Sequence, residues 1–343
     1  MTNPANTLYV TTQGCYVRKD HQTVVVSEGE QTLFCAPLHA LDGIICFGNV
    51  GVSPFLMHAC AEQGIAVSFL SENGKFLARV EGPASGNVLL RREQYRRADD
   101  PIACRELARA CVGGKLANYR TCLRRFAREH TESEKSASLD ASAERLRACL
   151  RSLPGAGTVA EIRGREGEGS AEWFSVFDAM LHGDPEAFSF EKRSRRPPRN
   201  PVNALLSFLY SLLLSDCSSA LQAVGLDPAV GFLHTDRPGR LSLALDLMEE
   251  FRPVLADRFA IALINQRQIR GAGFSKQETG AVVMDEETRK AVLVAWPKRK
   301  KEEITHPFTG EKTRLGLLPL VQARLLARSM RGDLEVYPPF TLR

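Results

Sequence analysis

One short region of the chain combines a histidine and several acids in a way that requires a positive partner. In GFLHTDRPGRLSLALDLMEEFRP (residues 231–253), His234 precedes a Pro/Gly turn, and Asp246, Glu249 and Glu250 interrupt an otherwise apolar run. Burial of an ionised carboxylate without a partner costs several kcal/mol, so a folded core avoids it. We therefore expect an arginine or a metal ion close to these acids.

A further acid lies on a helix that the sequence marks well. In residues 158–181, Thr158 and Glu161 form a Thr-x-x-Glu capping box, which predicts a helix start near residue 159. Steps of three and four residues then give a stripe with one acid: Ile162, Glu166, Gly169, Trp173, Phe177 and Met180. Glu168 lies about 200° around the helix from Glu166, so only Glu166 is predicted to face inward. The alternative is a partly buried Glu166 that pairs with Arg163.

These groups together predict a cation site of mixed nitrogen and oxygen ligands. A helix is expected from about Leu243, which places Asp246 and Glu249 on one face, whereas His234 falls on a loop. Carboxylates with one imidazole and no thiolate suit Mg²⁺ or Mn²⁺ better than structural zinc. The simpler alternative is that the acids pair with Arg163 and Arg252 and bind no ion.

The distribution of arginine favours a polyanionic partner. The net charge is only +5, but basic residues cluster at 91–97, 118–128, 190–200 and 296–301. Guanidinium groups suit phosphates, so the clusters favour nucleic acid, although a single basic cluster is often only a solvated face. Arg324, Arg328 and Arg331 are predicted to share a helix face. The candidate DNA contacts are Arg163, Arg195, Arg196, Arg324 and Arg328.

The organisation of the chain predicts an α+β fold. Short β-branched and aromatic runs fill residues 7–80, and helical patterns follow the Gly/Pro/Ser-rich residues 81–87. We therefore predict a β-rich domain at 1–83 and a larger all-α-helical catalytic domain at 84–343. The longest apolar run, residues 204–214, is too short for a membrane span and predicts a buried helix. With no secretory signal and nine cysteines lacking any C-x-x-C pair, a cytoplasmic protein without membrane attachment is expected.

Four motifs carry a resemblance to a known family. RGREGEGSAEWF, NPVNALLSFLYSLL, the histidine-containing stretch 231–253 and the closing GDLEVYPPF resemble, in this order, the CRISPR-associated adaptation integrase, the first-numbered Cas protein. The resemblance implies that Glu166, His234 and Glu249 bind the catalytic Mg²⁺ or Mn²⁺. Asp246 would orient a ligand or bind the ion through a water molecule. The chain departs from the family pattern in its added Glu168 and in Trp173, where a tyrosine is common.

The resemblance also implies an activity and partners. The protein would be a metal-dependent DNA endonuclease and integrase that inserts captured DNA fragments as new spacers into a CRISPR array, in antiviral defence. It would act on double-stranded and branched DNA, form a homodimer largely through its β domains, and join a dimer of the small second-numbered Cas protein in a heterohexameric complex. Two alternatives remain, a non-catalytic nucleic-acid-binding scaffold and a metal phosphoesterase of small molecules.

Overall fold

The N-terminal region is built from short strands and one helix. A computed structural model of the chain describes residues 6–82, 88–129 and 134–342. Helix α1 (Pro54–Gln63) begins at the Ser53 cap with Pro54 in its first turn, and it ends at Gly64, whose φ is +69°. The strands are β1 (Thr7–Val10), β2 (Tyr16–Asp20), β3 (Thr23–Glu28), β4 (Gln31–Pro37), β5 (Gly43–Phe47), β6 (Gly51–Val52), β7 (Ala66–Leu70) and β8 (Phe76–Val80).

These strands form two four-stranded sheets. One sheet has the order β1-β5-β7-β8, in which β1, β5 and β7 are parallel and β8 is antiparallel; the other has the order β4-β3-β2-β6. The Asn73-Gly74 pair predicts a hairpin, and β7 and β8 are indeed joined there. Gly74 adopts a φ of +80°, which a side chain would disfavour. Apolar residues of both sheets and α1 form one buried cluster.

The rest of the chain is mainly helical, which confirms the predicted α+β class. The helices are α2 (Val88–Asp99), α3 (Pro101–Glu129), α4 (Glu134–Ser152), α5 (Val159–Ser175), α6 (Pro201–Ala223), α7 (Ser242–Phe251), α8 (Arg258–Asn265), α9 (Glu286–Lys300) and α10 (Leu318–Arg331). A π-helical segment, Arg252–Asp257, connects α7 to α8. Two small hairpins, which the helical pattern did not predict, consist of β9 (Phe274–Lys276), β10 (Val282–Met284), β11 (Glu303–Thr305) and β12 (Lys312–Arg314).

The chain packs as two compact units. Among the described residues, the first unit contains 6–82, 289–303 and 314–317, and the second contains 88–129, 134–288, 304–313 and 318–342. Most of α9 therefore belongs to the unit that contains the N-terminal sheets. The functional boundary expected between residues 83 and 84 lies outside the described residues, and the two functional domains stay a prediction.

The second unit is organised around α6 and α3. Asn200 caps α6 by accepting a hydrogen bond from the Asn203 N–H, and Pro201 occupies its first turn. By length and composition α6 could cross a membrane, but 67% of its apolar window is buried inside the fold, as expected of a core helix. Helix α3 packs against α4, α5 and α7. Consequently α3 contacts both helices that carry the acids of the candidate site.

Candidate active site

Helix α5 presents Glu166 to α3. The helix begins as predicted, because Thr158 Oγ1 accepts a hydrogen bond from the Glu161 N–H at 3.2 Å. Gly169 lies one turn beyond Glu166, and a Cβ there would come within 2.1 Å of Leu116 Cδ2 on α3. This close approach brings the Glu166 face of α5 against α3. The Glu166 side chain remains 24% exposed, whereas that of Glu168 is 55% exposed and points away.

Asp246 holds the loop that carries His234. Its Oδ2 accepts hydrogen bonds from the backbone N–H groups of Phe232 (2.6 Å) and Leu233 (2.9 Å). Its Oδ1 accepts from the His234 N–H at 3.0 Å and contacts His234 Nδ1 at 2.7 Å. With its Nδ1 proton donated to Asp246, the imidazole keeps the Nε2 lone pair for another partner. Nε2 lies 4.0 Å from Glu249 Oε1.

Lys115 joins the two glutamates. Its Nζ donates to Glu249 Oε2 at 2.6 Å and also to Glu166 Oε1, so both carboxylates contact one ammonium group. Ser170 Oγ donates to Glu166 at 2.7 Å, and Arg252 Nε lies 3.1 Å from Glu249 Oε2. The structure thus brings Glu166, His234 and Glu249 together from two helices and a loop.

The electrostatics of this cluster favour charged groups despite their burial. Burial alone would raise the pKa of Glu249, but the neighbouring Arg252 and Lys115 outweigh it and hold that pKa at about 2. Burial alone would lower the pKa of Lys115, yet Glu249 and Glu166 raise it above its ordinary value. Glu249 and its two cationic neighbours, Lys115 and Arg252, therefore stabilise one another as ions inside the fold.

Tyr210 and Asp257 form a second buried cluster, which contacts Arg252. The Arg252 guanidinium stacks over Tyr210, 4.5 Å from the ring centre. Tyr210 donates to Asp257 Oδ1 at 2.6 Å. Burial raises the pKa of Asp257 to about 6, although this hydrogen bond opposes the shift. These contacts keep Arg252 beside Glu249.

Glu250, the third acid of the region, serves the C-terminal segment instead of the site. Its carboxylate accepts hydrogen bonds from Tyr337 Oη (2.7 Å), Gln322 Nε2 (3.0 Å) and the Phe340 N–H (2.7 Å). Burial raises its pKa to about 7, although these three donors lower it. The segment Tyr337–Phe340 is thereby attached to α7 at Glu250.

The donor set fits a hard divalent cation, with one obstacle. In the described part of the chain, no group of three or more His, Cys, Asp or Glu side chains is arranged so that it could hold a metal ion. The obstacle is the Lys115 ammonium, a positive charge that already stands between Glu166 and Glu249. Two carboxylates and an imidazole around a cation position are the ligands that Mg²⁺ or Mn²⁺ would use. The residue types therefore suit such an ion, but in the described structure Lys115 stands between the two glutamates and the side chains are not arranged around an ion.

The candidate DNA-binding arginines are all exposed. Arg324 and Arg328 lie on the solvent face of α10, as does Arg331, which also pairs with Asp333 at 2.8 Å. Arg195 and Arg196 lie in an irregular segment before α6, and Arg163 is exposed on α5. The alternative pairing of Glu166 with Arg163 is wrong, because Glu166 bonds to Lys115 and Ser170.

Lys115 is a site residue that was not predicted from the sequence. The side chain is only 3% exposed and lies on a buried face of α3, between Cys111 and Asn118 at helical spacing. A lysine within an apolar helical stripe was the available signal, since a fully buried lysine is rare without a partner. Its partners lie 51 and 134 residues further along the chain, so their identity required the tertiary structure.

Comparison with known proteins identifies the family. A family model described as CRISPR associated protein Cas1 matches residues 8–298. The CRISPR-associated endonuclease Cas1 1 of Chlorobaculum tepidum is 50% identical over 343 residues, which covers 100% of both chains. This full-length similarity lies far above what a shared fold alone requires.

Solved structures share the fold at lower identity. A casposase bound to integration product matches with a TM-score of 0.83 and 22% identity, over 97% of this chain and 93% of that chain. A chain of a Cas6-RT-Cas1–Cas2 complex matches with a TM-score of 0.81 and 23% identity, over 98% of this chain and 36% of that chain. On the strength of the family model and the full-length relative, the chain belongs to the Cas1 family of CRISPR-associated proteins.

Proposed function

We propose that the protein is a metal-dependent DNA endonuclease and integrase that inserts captured DNA into a CRISPR array. The observation that carries the proposal is that one cation, the Lys115 ammonium, contacts both Glu166 and Glu249, while His234 Nε2 lies 4.0 Å from Glu249 Oε1. The naming of the 50% identical relative as an endonuclease supports the nuclease part. The casposase neighbour, bound to an integration product, supports the joining part.

The reaction would be a transesterification at a repeat phosphodiester. The 3′-hydroxyl of the captured DNA attacks phosphorus, a new P–O bond forms, and the bond to the departing 3′-oxygen breaks. When bound, Mg²⁺ or Mn²⁺ would stabilise the charge that develops on the phosphate and the departing oxygen. Glu166, His234 and Glu249 would hold it. Glu249 is already ionised in the metal-free protein, because Arg252 and Lys115 hold its pKa at about 2.

Asp246 would position His234 without contacting the ion. Both of its oxygens already accept hydrogen bonds from the loop and the imidazole, so the carboxylate has a full set of protein donors. Of the two roles expected for Asp246, this geometry favours orientation of the ligand over binding through water. A fixed imidazole has only one ring nitrogen left for a ligand role.

DNA binding would rest on exposed arginines. Arg163, Arg195, Arg196, Arg324 and Arg328 are solvent-facing and would contact backbone phosphates without reading base sequence. Double-stranded and branched DNA are the proposed substrates, and the cytoplasm is the proposed location. The Cas6-RT-Cas1–Cas2 complex among the structural neighbours supports Cas2 as a partner, and a Cas2 dimer in a heterohexameric complex is the assembly that we propose.

The N-terminal unit offers an edge for the proposed homodimer. Strand β4 is the outer strand of its sheet, and it exposes Leu33 (42%) and Phe34 (45%). An exposed apolar edge strand is a template for pairing with another chain. A second copy of this chain is the partner that the family resemblance favours.

A second candidate function is a DNA-binding scaffold without catalysis. It is favoured by the present neutralisation of the acids, because Lys115 and Arg252 already pair with Glu249. In such a protein the cluster would only stabilise the fold. Arginine contacts would still provide salt-dependent DNA binding.

A strand-transfer assay separates the two functions. Branched DNA or DNA with a free 3′-hydroxyl is incubated with a CRISPR repeat duplex, with Mg²⁺, with Mn²⁺ or with EDTA. We expect joined products with either metal and none with EDTA, while DNA binding persists in all three. Binding without joining at any metal concentration would support the scaffold. Joining that is equally fast in EDTA would contradict the metal-dependent mechanism.

A further inference from the structure

Lys115 occupies the position that a divalent ion would need. Its ammonium contacts Glu166 and lies 2.6 Å from Glu249 Oε2, while the lysine side chain is 3% exposed. Metal–oxygen distances of about 2.0–2.6 Å would put an ion bound by the same two carboxylates beside this ammonium. The two cations would then repel each other with little water between them to screen the repulsion.

We propose that Lys115 fills the cation position in the metal-free protein and is displaced when the metal binds. The proposal rests on the proposed function and adds to it a residue that competes with the ion. Lysine and metal would be mutually exclusive occupants of one position. The affinity of the free protein for metal would therefore be lower than its two carboxylates and imidazole alone would provide.

The structure indicates why Lys115 would move and Arg252 would stay. Arg252 is fixed by its stacking on Tyr210, 4.5 Å from the ring centre, and by the π-helical segment in which it lies. Lys115 has an unbranched four-carbon stem with rotatable bonds, and an ammonium group needs no fixed bonding plane. Glu166 is 24% exposed and His234 is 21% exposed, so the cluster is open to solvent on their side.

The carboxylates also explain why a cation at this position stabilises the fold. Without one, Glu166 and Glu249 would face each other with Arg252 as the remaining partner of Glu249. A buried charge that loses its partner destabilises a fold strongly. Lys115 would therefore stabilise the metal-free protein and weaken metal binding through the same contacts.

The test is direct Mn²⁺ binding to the DNA-free protein, measured by calorimetry and by electron paramagnetic resonance. Lys115→Met removes the ammonium and keeps a similar volume. We expect K115M to melt earlier without metal, to bind Mn²⁺ at least about fivefold more tightly than wild type, and to gain more thermal stability from Mn²⁺. If K115M fails to fold, Lys115→Gln, which keeps an N–H donor, carries the same expectation.

A matched control variant tests whether Lys115 affects Mn²⁺ binding through its position between the glutamates or only through its positive charge. Arg165 is 41% exposed on α5 and pairs with Glu168, so Arg165→Met removes one nearby positive charge without touching Glu166. R165M should bind Mn²⁺ as wild type does. Equal increases in Mn²⁺ affinity in K115M and R165M would overturn the proposal, since they would indicate that any nearby positive charge weakens Mn²⁺ binding.

The remaining outcomes distinguish this proposal from the proposed function. Mn²⁺ binding that is lost in His234→Ala but unchanged or weakened in K115M would overturn the role of Lys115 alone. It would show that the lysine supports the site. No Mn²⁺ binding in either wild type or K115M would contradict the metal site itself and this proposal with it.

Discussion

His234 Nδ1 lies 2.7 Å from Asp246 Oδ1, and the same carboxylate accepts three backbone N–H groups from the loop that carries the histidine. Asp246 is 1% exposed. One buried carboxylate on α7 thus determines both the path of the loop and the orientation of the imidazole. Since Glu249 lies three residues later on the same helix, α7 positions two of the three candidate metal ligands.

Replacement of Asp246 should affect both stability and joining. In Asp246→Ala, the buried N–H groups of Phe232 and Leu233 lose their acceptor, and each unsatisfied donor costs about 1–3 kcal/mol. We expect the free energy of unfolding to fall by at least about 2 kcal/mol and strand transfer to fall about 10–100-fold. Chemical denaturation and the joining assay measure the two effects. Asp236→Asn, an exposed change in the same loop that keeps an oxygen to accept the Gly231 N–H, should alter neither. Normal stability in D246A would refute the anchoring role.

Two glycines of α5, Gly167 and Gly169, allow a test of how closely α5 packs against α3. A Cβ at Gly169 would meet the buried Leu116 at 2.1 Å, whereas a Cβ at Gly167 would meet nothing within 4 Å. We expect Gly169→Ala to lower the free energy of unfolding by about 1–3 kcal/mol through overpacking. Gly167→Ala should raise it by about 0.5–1 kcal/mol, because alanine favours a helix more than glycine does. Urea denaturation of both variants checks this, and equal effects would contradict the close packing.

The three arginines of α10 should act through phosphate contacts. Arg324, Arg328 and Arg331 form one exposed face, opposite the buried Leu325, Leu326 and Met330. If they bind DNA, replacing all three by alanine should weaken binding to every sequence. The slope of log K against log salt should become shallower by about 2–3, since each phosphate contact contributes about 0.9. Thermal stability should stay unchanged. An unaltered salt slope, measured by fluorescence anisotropy, would leave these residues as a solvated face.

The raised pKa of Asp257 predicts that the stability of the protein depends on pH. Its pKa in the folded protein is raised to about 6 by burial, and its Oδ2 has no hydrogen-bond partner in the described structure. An unfolded aspartate titrates near 3.9, so the folded state binds the proton more tightly. The protonated Asp257 therefore stabilises the folded protein fully below pH ~4. This contribution to the free energy of unfolding, about 2–3 kcal/mol, is lost as the pH rises through ~6.

Asp257→Asn removes this titration. The free energy of unfolding of wild type relative to D257N should therefore decline between pH 4 and pH ~6 and level off above that range. Urea denaturation in EDTA across this range gives both curves. Curves that run parallel would show that Asp257 has an ordinary pKa in the fold.

Local signals made much of the site predictable. The Thr158 cap defines the start of α5, and helical periodicity then turns Glu166 inward and Glu168 outward. The Pro/Gly turn keeps His234 on a loop. These features depend on residues close together in sequence, for which capping and periodicity are sufficient.

The pairing of the acids was not predictable in the same way. Arg163 is near Glu166 in sequence, but Lys115 on another helix is the actual partner, because the packing of α3 against α5 and α7 decides which cation reaches the carboxylates. The hairpins β9–β10 and β11–β12 escaped prediction because their strands have only three residues each. Such short runs carry no clear alternation of apolar and polar residues.

The central claim is that Glu166, His234 and Glu249 bind one divalent ion. Anomalous diffraction from crystals of the protein soaked in Mn²⁺ tests it most directly. We expect one strong peak at about 2.0–2.3 Å from a carboxylate oxygen of Glu166, from a carboxylate oxygen of Glu249 and from His234 Nε2, with the Lys115 ammonium moved away. A Lys115 that still bridges the two glutamates, with no peak beside them at Mn²⁺ concentrations that support strand transfer, would contradict it.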